Sequence, residues 1–337
     1  MQIVYRIPPG PGWHPVTYMA KLAAELFDAR LTVVPQGKAP GKLTKLRASF
    51  LQRGRGGKET CLVIAATPRD LLAFMLEPGW SGRFGKVVGW VIDSFWTSEI
   101  PKLLKSAKLY DQIFVTTEPD IAEWEKATGA QSGCLPWGSD VLRFGSPSGE
   151  RDIDLLRIGR QPGEWDDDKA NAAACEAKGL RYQGRTPIVD DPVESYRANM
   201  QLYGRSKFLL AFSNAANPTN YTHPTRQYLT ARWTDALASG VTVAGILPQS
   251  PEIGKMLWPE ATVELGTTER EAGLAKIAEA VPGWSPAQAV HNYKMALARL
   301  DWRWRLAEIA KSLGEGAPKL MAEIEQIKRR LDDMKAL

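Results

Sequence analysis

Several charged residues stand where an apolar, strand-like run ends, a position from which a side chain can reach a ligand. Arg160 is the clearest case, because it follows the run 154–158 and a glycine. A fixed guanidinium at such a place can bind an anion, and the N-terminus of a helix near Leu229 can add backbone amides. The sequence therefore predicts an anion site built from Arg160 and a helix over 228–239.

Two further polar residues occupy comparable positions in the N-terminal half. His14 follows the turn 10–13, just before a predicted helix, and can either face a ligand or remain a solvated turn residue. Asp93 ends the run 87–92, where a carboxylate can accept a hydrogen bond from a ligand hydroxyl or cap the next turn. We expect both residues at the carboxyl edge of a sheet.

Metal and thiol chemistry find little support in the sequence. The histidines and cysteines are few and widely spaced, without metal-ligand spacing: His14, His223, His291, Cys61, Cys134 and Cys175. An odd cysteine count favours reduced thiols in the cytosol. Asp166, Asp167 and Asp168 are consecutive, so their side chains diverge, and a first helical turn favours acids. We therefore predict a helix cap there and no metal site.

The most basic segment is 38–58, which holds seven Lys or Arg residues and no acid. Apolar residues recur within it at helix-like spacings, at Leu43, Leu46, Phe50 and Leu51, beside Lys42, Lys45 and Arg47. An apolar stripe flanked by cations suits the interface of an anionic membrane. Cations alone would suit nucleic-acid phosphates or a solvated loop. The modest net charge of +5 argues against nucleic acid.

Apolar runs and amphipathic stretches alternate along the chain. The predicted strands cover 3–7, 31–34, 62–66, 87–92, 113–116, 154–158, 206–212, 241–244 and 262–265, and the predicted helices cover 16–27, 69–77, 121–127, 166–178, 228–239 and 268–280. Strand–helix–strand repeats of this kind predict parallel sheets with helices on both faces. No run of about 18 apolar residues exists that could span a membrane.

The length of 337 residues predicts two domains. A segment rich in Gly, Ser and Pro at 144–151 reads as a linker, after which the strand pattern restarts. The predicted fold class is α/β, with two Rossmann-like, doubly wound parallel-sheet domains, 1–145 and 152–300, facing a cleft. The tail 301–337 is predicted to be helical and to cross back to the first domain. Its apolar stripe should pack on the protein itself rather than on a coiled-coil partner.

The segment 228–245 resembles the helix and following strand of group 1 (retaining) glycosyltransferases. The family pattern is an acid, Ala, an apolar residue, Ala, a small residue and Gly before a β-branched run, and the matching residues are Asp235, Ala236, Ala238 and Gly240. Other segments resemble family elements in the same order, namely 10–12, 135–140, 156–160, 208–213 and 302–313. The resemblance implies a GT-B fold whose C-terminal domain holds a nucleotide diphosphate-sugar.

The resemblance also implies roles for individual residues. It implies catalysis by Arg160 and Lys169, and donor binding by Gly12, Ser213, Gln227, Thr230, Arg232 and Asp235. Position alone adds His14 to the predicted catalytic residues, and Asp93, Lys42, Lys45 and Arg47 to the acceptor side. Cations and a helix N-terminus can stabilise the charge that grows on the leaving diphosphate without a metal or another cofactor. Asp235 would accept the ribose hydroxyls, and Asn217 and His223 would line the donor pocket.

The sequence departs from the family pattern at its two acids. Gln227 replaces the first, and an amide brings no charge; the second is Asp rather than Glu. We expect a cytoplasmic or peripheral membrane enzyme that transfers sugar, with retention, to a saccharide or lipid-linked acceptor of bacterial polysaccharide or glycolipid synthesis. The alternatives are glycosylation of nucleic acid and a non-catalytic sugar-nucleotide binding protein. A dinucleotide oxidoreductase is disfavoured, because no G-x-G-x-x-G follows a strand.

Overall fold

A computed structural model of the chain describes residues 1–51, 56–187, 189–216, 218 and 222–335, without the side chain of Leu51. The described chain forms two compact units. Unit 1 consists of Met1–Pro136 and Arg303–Glu325, and unit 2 consists of Trp137–Trp302 and Gln326–Leu337. The chain therefore leaves each unit and returns to it near the C-terminus.

Unit 1 is built on a parallel sheet of six strands. They are β1 (Gln2–Arg6), β2 (Arg30–Val34), β3 (Glu59–Ala65), β4 (Phe84–Val91), β5 (Gln112–Val115) and β6 (Gln131–Cys134), in the spatial order β2-β1-β3-β4-β5-β6. Every neighbouring pair is parallel. The five strands predicted for this half are confirmed, and β6 is additional. Continuous apolar runs such as Leu62–Ala65 are buried, as expected for a sheet covered on both faces.

The helices of unit 1 differ greatly in length. They are α1 (His14–Leu26), α2 (Lys42–Leu51), α3 (Trp80–Arg83), α4 (Leu103–Ser106) and α5 (Ile121–Thr128). The segment Pro68–Leu76, expected to be α-helical, is a 3₁₀-helix that begins at a capping box between Thr67 and Asp70. Because Asp70 also pairs with Arg6 at 3.0 Å, this helix is fastened to the end of β1.

Unit 2 repeats the arrangement with five parallel strands. They are β7 (Ile153–Arg157), β8 (Tyr182–Gln183), β9 (Ser206–Phe212), β10 (Thr242–Ile246) and β11 (Thr262–Glu264), in the spatial order β11-β10-β9-β7-β8. The first, third, fourth and fifth strands in chain order confirm the prediction, and β8 is additional. The chain starts at β7, adds β8 on one side and then places β9, β10 and β11 on the other, which makes the junction of β7 and β9 a topological switch point.

Seven helices of the described chain precede the tail in unit 2. They are α6 (Val141–Phe144), α7 (Asp168–Glu176), α8 (Pro192–Gly204), α9 (Ala231–Ala238), α10 (Ile253–Met256), α11 (Arg270–Ala280) and α12 (Pro286–Arg299). The segment 144–151, expected to be a linker, lies within unit 2. There Arg151 is buried and donates hydrogen bonds to the carbonyl oxygens of Tyr203 at 2.9 Å, Ser206 at 2.8 Å and Ser239 at 2.7 Å.

The tail is helical, as predicted, and forms α13 (Trp302–Leu313) and α14 (Pro318–Asp333). On α14 the stripe residues Leu320, Ile324 and Ile327 are at most 3% exposed, while Leu331 is half-buried. The apolar face of α14 is therefore covered by the protein itself over most of its length. No helix among the described residues has the length and apolar character that a membrane span requires.

Candidate functional site

The carboxyl ends of β7 and β9 bring the predicted anion-binding residues of unit 2 together. Arg160 follows β7 through Gly159, whose φ of +70° favours glycine. The guanidinium of Arg232, in the first turn of α9, donates a hydrogen bond of 2.5 Å to the carbonyl oxygen of Arg160. A Cβ at Gly159 would lie 3.4 Å from Cδ of Arg232. The turn therefore holds Arg160 and Arg232 side by side at the switch point, where sheets of this kind bind ligands.

Positive charge accumulates at this junction. Burial lowers the pKa of Arg232, and the neighbouring cations Arg160 and Arg157 lower it further. Arg157, the last residue of β7, is fully buried and pairs with Asp166 and with Asp168. The hydrogen bond of Arg232 goes to a carbonyl rather than to a carboxylate. An anionic ligand beside Arg232 would offset the repulsion that this guanidinium experiences from its cationic neighbours.

The three consecutive acids after β7 have different partners. Asp167 caps α7, accepting a hydrogen bond of 3.0 Å from the backbone amide of Ala170, as predicted. Asp166 and Asp168 are not caps, because both pair with Arg157 and with Arg185. Within the described ranges no cluster of His, Cys, Asp and Glu has the geometry to hold a metal ion.

Lys169 is exposed in the first turn of α7. Its catalytic role stays a prediction.

Ser213 and Gln227 meet at the end of β9. The Ser213 hydroxyl donates to Oε1 of Gln227 at 2.7 Å, and the backbone amide of Gln249 donates to the same oxygen at 3.0 Å. With its carbonyl oxygen engaged by two donors, Gln227 presents its Nε2 as the end available to a ligand. Gln227 is therefore oriented as a hydrogen-bond donor.

Three buried polar atoms near the switch point lack a hydrogen-bond partner among the described residues. They are Oε1 of Gln161, Oδ1 of Asn214 and Oγ1 of Thr230. Gln161 spans the β7–β9 junction, because its Nε2 donates to the carbonyl oxygens of Ile158 at 3.2 Å and Leu210 at 2.9 Å. Buried polar groups are nearly always paired, so these oxygens mark a place where a ligand or water completes the hydrogen bonding.

Thr230 occupies the N-cap position of α9, and its side chain makes no capping hydrogen bond. The helix begins at Ala231, three residues later than the predicted start at 228. The predicted donor residues Thr230 and Arg232 consequently flank the helix N-terminus itself. Gln161 and Asn214 were not among the predicted residues, because only their burial in the fold distinguishes them from other amides.

Asp235 points into unit 2. It is 4% exposed, and its Oδ1 accepts hydrogen bonds from the Ser139 hydroxyl at 2.7 Å and the Tyr196 hydroxyl at 3.1 Å. Burial raises the pKa of Asp235 to about 7, against the lowering effect of these two hydrogen bonds. A ribose contact could use only the remaining oxygen of the carboxylate. The role of Asp235 in ribose binding stays a prediction. The observed hydrogen bonds link Asp235 to other residues of unit 2.

The loop between β9 and α9 contains the other predicted pocket residues. Nδ1 of His223 accepts a hydrogen bond of 3.0 Å from the backbone amide of Arg226, which places the imidazole in a turn. Asn217 lies outside the described residues, as do Arg53 and Arg55 of the basic segment.

In unit 1 the predicted residues follow the carboxyl ends of β1 and β4. Gly12 lies in the 3₁₀ turn Pro11–Trp13 after β1, and His14 is the first residue of α1, half-buried. Asp93 follows β4 and is also half-buried; burial raises its pKa to about 7. Within the described residues no hydrogen bond or ion pair engages its carboxylate. Such a carboxylate is a candidate functional group.

The remaining acceptor-side residues, Lys42, Lys45 and Arg47, are exposed on α2.

Comparisons with known proteins bear on the fold. No family model matches the sequence, and no curated protein matches it. An α-glucosyltransferase in complex with UDP and a 13-mer DNA containing a central A:G mismatch aligns at a TM-score of 0.52 and 11% identity, over 93% of this chain and 100% of that one.

Two other solved structures are similar at lower scores. AviGT4, a glycosyltransferase involved in avilamycin A biosynthesis, aligns at a TM-score of 0.47 and 11% identity over 98% of both chains. TarM aligns at 0.46 and 10% identity over 80% of this chain and 57% of its own, so this chain spans little more than half of TarM. With two parallel sheets of six and five strands, the chain has the GT-B fold of glycosyltransferases.

Proposed function

We propose that the protein is a glycosyltransferase whose unit 2 binds a nucleotide diphosphate-sugar at the β7–β9 switch point. The observation that carries the proposal is the pairing of Arg160 with Arg232 beside the N-terminus of α9. A diphosphate carries the negative charge that guanidinium groups beside a helix N-terminus bind. The unpartnered oxygens of Gln161, Asn214 and Thr230 accept hydrogen bonds from donor hydroxyl groups or ordered water.

The chain's own cations serve the reaction by stabilising the leaving group. As the glycosidic bond breaks, negative charge grows on the diphosphate, and guanidinium groups fixed before the reaction stabilise that charge without reorganisation. The hydrogen bond from Arg232 to the Arg160 carbonyl supplies this fixed arrangement. Gln227 contributes an uncharged donor to the sugar, so it can orient the sugar but adds no charge.

On the acceptor side, we propose a saccharide or lipid-linked precursor of a bacterial polysaccharide or glycolipid, glycosylated in the cytoplasm or at the inner face of the membrane. We assign the acceptor hydroxyl to Asp93, which follows β4 and whose carboxylate has no hydrogen-bond partner among the described residues. Retention follows the resemblance of 228–245 to the retaining family, and front-face attack needs no protein nucleophile. No resident cofactor enters the proposed reaction.

Glycosylation of nucleic acid is the second candidate. The seven cations and absence of acids in 38–58 favour it, and one solved structure of the same fold is a complex with DNA. A non-catalytic sugar-nucleotide binding protein would also retain the switch-point cations, with Gln227 in place of an acid. The first alternative differs from the main proposal in its acceptor, and the second in having no transfer activity.

A thermal-shift panel of UDP, GDP, ADP, CDP and dTDP tests donor binding. At about 100 times its Kd, the correct nucleotide should add about 2.7 kcal/mol to the free energy of unfolding. Transfer from the matching radiolabelled nucleotide-sugar to membrane extract, to DNA or to water then separates the three readings. If no nucleoside diphosphate raises the Tm, the proposed donor site is wrong. If nucleotide binds without any sugar transfer, the non-catalytic alternative stands.

A further inference from the structure

Helix α2 presents an unusual face to solvent. Its side chains of Phe50, Leu43 and Leu46 are 79%, 62% and 56% exposed, and no other large apolar side chain of the described residues exceeds 44%. A helix with about 3.6 residues per turn places positions 43, 46 and 50 on one side. These three residues form the α2 stripe.

The opposite side of α2 attaches the helix to unit 1. Ala48 is fully buried in the core of the unit and lies about half a turn away from the α2 stripe. Because Ala48 fixes the helix on its inner side, the α2 stripe must point outward. The stripe is therefore a constant feature of the folded helix and does not belong to the core.

Cations surround the α2 stripe. On a helical wheel Lys42 and Arg47 fall on its two sides, and all three of Lys42, Lys45 and Arg47 are exposed. No ion pair engages their side chains within the described part of the chain. The wider segment 38–58 has no acid. The segment that carries the apolar stripe therefore contributes only cations, and no acid, to the surface beside it.

We propose that α2 docks unit 1 on an anionic lipid bilayer. Leu43, Leu46 and Phe50 enter the region between headgroups and acyl chains, and Lys42, Lys45 and Arg47 contact lipid phosphates. Duplex DNA offers the same phosphates but no apolar layer for three exposed side chains. The combination of stripe and cations therefore favours lipid.

Docking through α2 rests on the proposed function and narrows its acceptor. The helix begins after a short connection, 35–41, from the carboxyl end of β2. Asp93, the proposed contact of the acceptor hydroxyl, follows the carboxyl end of β4 in the same parallel sheet. A bilayer against α2 would therefore lie beside the edge of unit 1 that receives the acceptor, which suits a lipid-linked saccharide.

Vesicle co-sedimentation of the full chain tests the docking. The probes are phosphatidylcholine vesicles with and without about a third of phosphatidylglycerol. We expect binding to the anionic vesicles alone, weakened by salt. The charge-reversal variant Lys42→Glu, Lys45→Glu, Arg47→Glu should bind about a hundredfold more weakly, since each cation near an anionic surface contributes a factor of about five. The variant Leu43→Gln, Leu46→Gln, Phe50→Gln should also lose binding, by at least about tenfold.

Matched controls separate the α2 surface from overall charge and hydrophobicity. Lys21→Glu, Lys126→Glu, Lys311→Glu changes the net charge of unit 1 equally at exposed lysines of other helices, and Val290→Gln with Met321→Gln removes exposed apolar side chains outside α2. Both control variants should bind vesicles like the parent protein. Because every substituted side chain is exposed, the Tm should change little in any variant.

The outcomes distinguish this inference from the proposed function, because nucleotide-induced thermal shifts are measured on the same proteins. Failure to bind anionic vesicles, with the nucleotide shift retained, overturns the docking and leaves the donor site standing. Vesicle binding without any nucleotide shift supports docking and contradicts the glycosyltransferase. If the α2 stripe variant binds vesicles normally and the charge reversal abolishes binding to duplex DNA, the partner is nucleic acid and the lipid inference is wrong.

Discussion

The guanidinium of Arg160 is the single group on which the proposed chemistry depends most. Arg160→Ala should raise the activation free energy of transfer by on the order of 2–4 kcal/mol, since one preorganised donor to a developing anion is removed. Initial-rate kinetics with the matching nucleotide-sugar measure this loss in kcat/KM. Arg197→Ala is the control, because Arg197 is an exposed arginine of unit 2 that pairs with Glu194. Unchanged turnover in Arg160→Ala would remove Arg160 from the site.

Asp93 gives the acceptor side a pH dependence. Burial raises its pKa to about 7, so the carboxylate that can accept a hydrogen bond disappears as the pH falls through about 7. Transfer should therefore slow below that pH. Asp93→Asn should lose about 1.5–3 kcal/mol of acceptor binding at pH 8 and flatten this limb of the profile, while the KM for the donor stays the same. A parent-like pH profile in Asp93→Asn would contradict the assignment.

Asp235 should control stability rather than rate. Its folded pKa of about 7 lies above the ordinary value of 3.8, so the native state holds the proton more tightly, and stability falls as the pH rises from about 4 to about 7. Asp235→Asn removes the buried charge and keeps an oxygen for Ser139 and Tyr196. The variant should gain on the order of 2–4 kcal/mol relative to the parent between pH 5 and pH 8. Melting curves at both pH values measure the gain, and an equal difference in Tm at the two would contradict it.

Candidate site residues that directly follow a predicted strand could be identified from the sequence. Candidate residues that only tertiary packing brings to the site could not. Arg160 and Ser213 stand at strand ends, and the structure places both at the switch point. The sequence does not single out Gln161, because what distinguishes this residue is its hydrogen bond to the carbonyl oxygen of Leu210, which lies on β9. The internal partners of Asp235 were equally hidden, since Ser139 is 96 residues away along the chain.

Among the elements, strand β10 offers the sharpest test of packing. A Cβ on Gly245 would lie 1.5 Å from the carbonyl oxygen of Ala211 on β9, so no side chain fits without separating the two strands. Gly245→Ala should destabilise unit 2 by at least about 1–3 kcal/mol. Gly254→Ala is the matched control, because a Cβ there meets open space in α10, and it should stabilise by up to about 1 kcal/mol.

Urea denaturation followed by circular dichroism measures both glycine variants. Equal stability of Gly245→Ala and the parent protein would show that β9 and β10 can separate without cost, contrary to the geometry.

Strong apolar periodicity explains which elements the sequence could predict. Strand β9 has the predicted bounds, and the other eight predicted strands differ by no more than a few residues at their ends. Strand β6 was missed because Gln131–Cys134 is short and polar, and β8 because it has two residues. Helix α8 carries a usable signal, since Asp191 caps it ahead of Pro192, but its apolar stripe is weak.

At the scale of the whole molecule, the two units share one strand order. Counted within each unit, both sheets place the second strand beside the first and then the third, fourth and fifth on the other side. The sequence predicted two consecutive parallel sheets but not this order, because strand pairing is set by contacts between residues far apart in the chain. The shared order gives each unit its own switch point, and only that of unit 2 is lined by the arginine pair.

The last prediction is that the transfer activity of the whole protein does not depend on a divalent metal. Asp166 and Asp168 form ion pairs with Arg157 and Arg185, and Asp167 caps α7. These contacts disfavour metal binding by the acidic run 166–168. In the proposed reaction the positive charge that stabilises the leaving diphosphate comes from the guanidinium groups of Arg160 and Arg232. Transfer should therefore retain its rate, within about twofold, after treatment with EDTA and gel filtration. Loss of activity that Mg²⁺ or Mn²⁺ restores would mean that a metal shares this role. In that case Arg160→Ala would cost less than 2–4 kcal/mol, because the metal would supply part of the charge that Arg160 is proposed to provide.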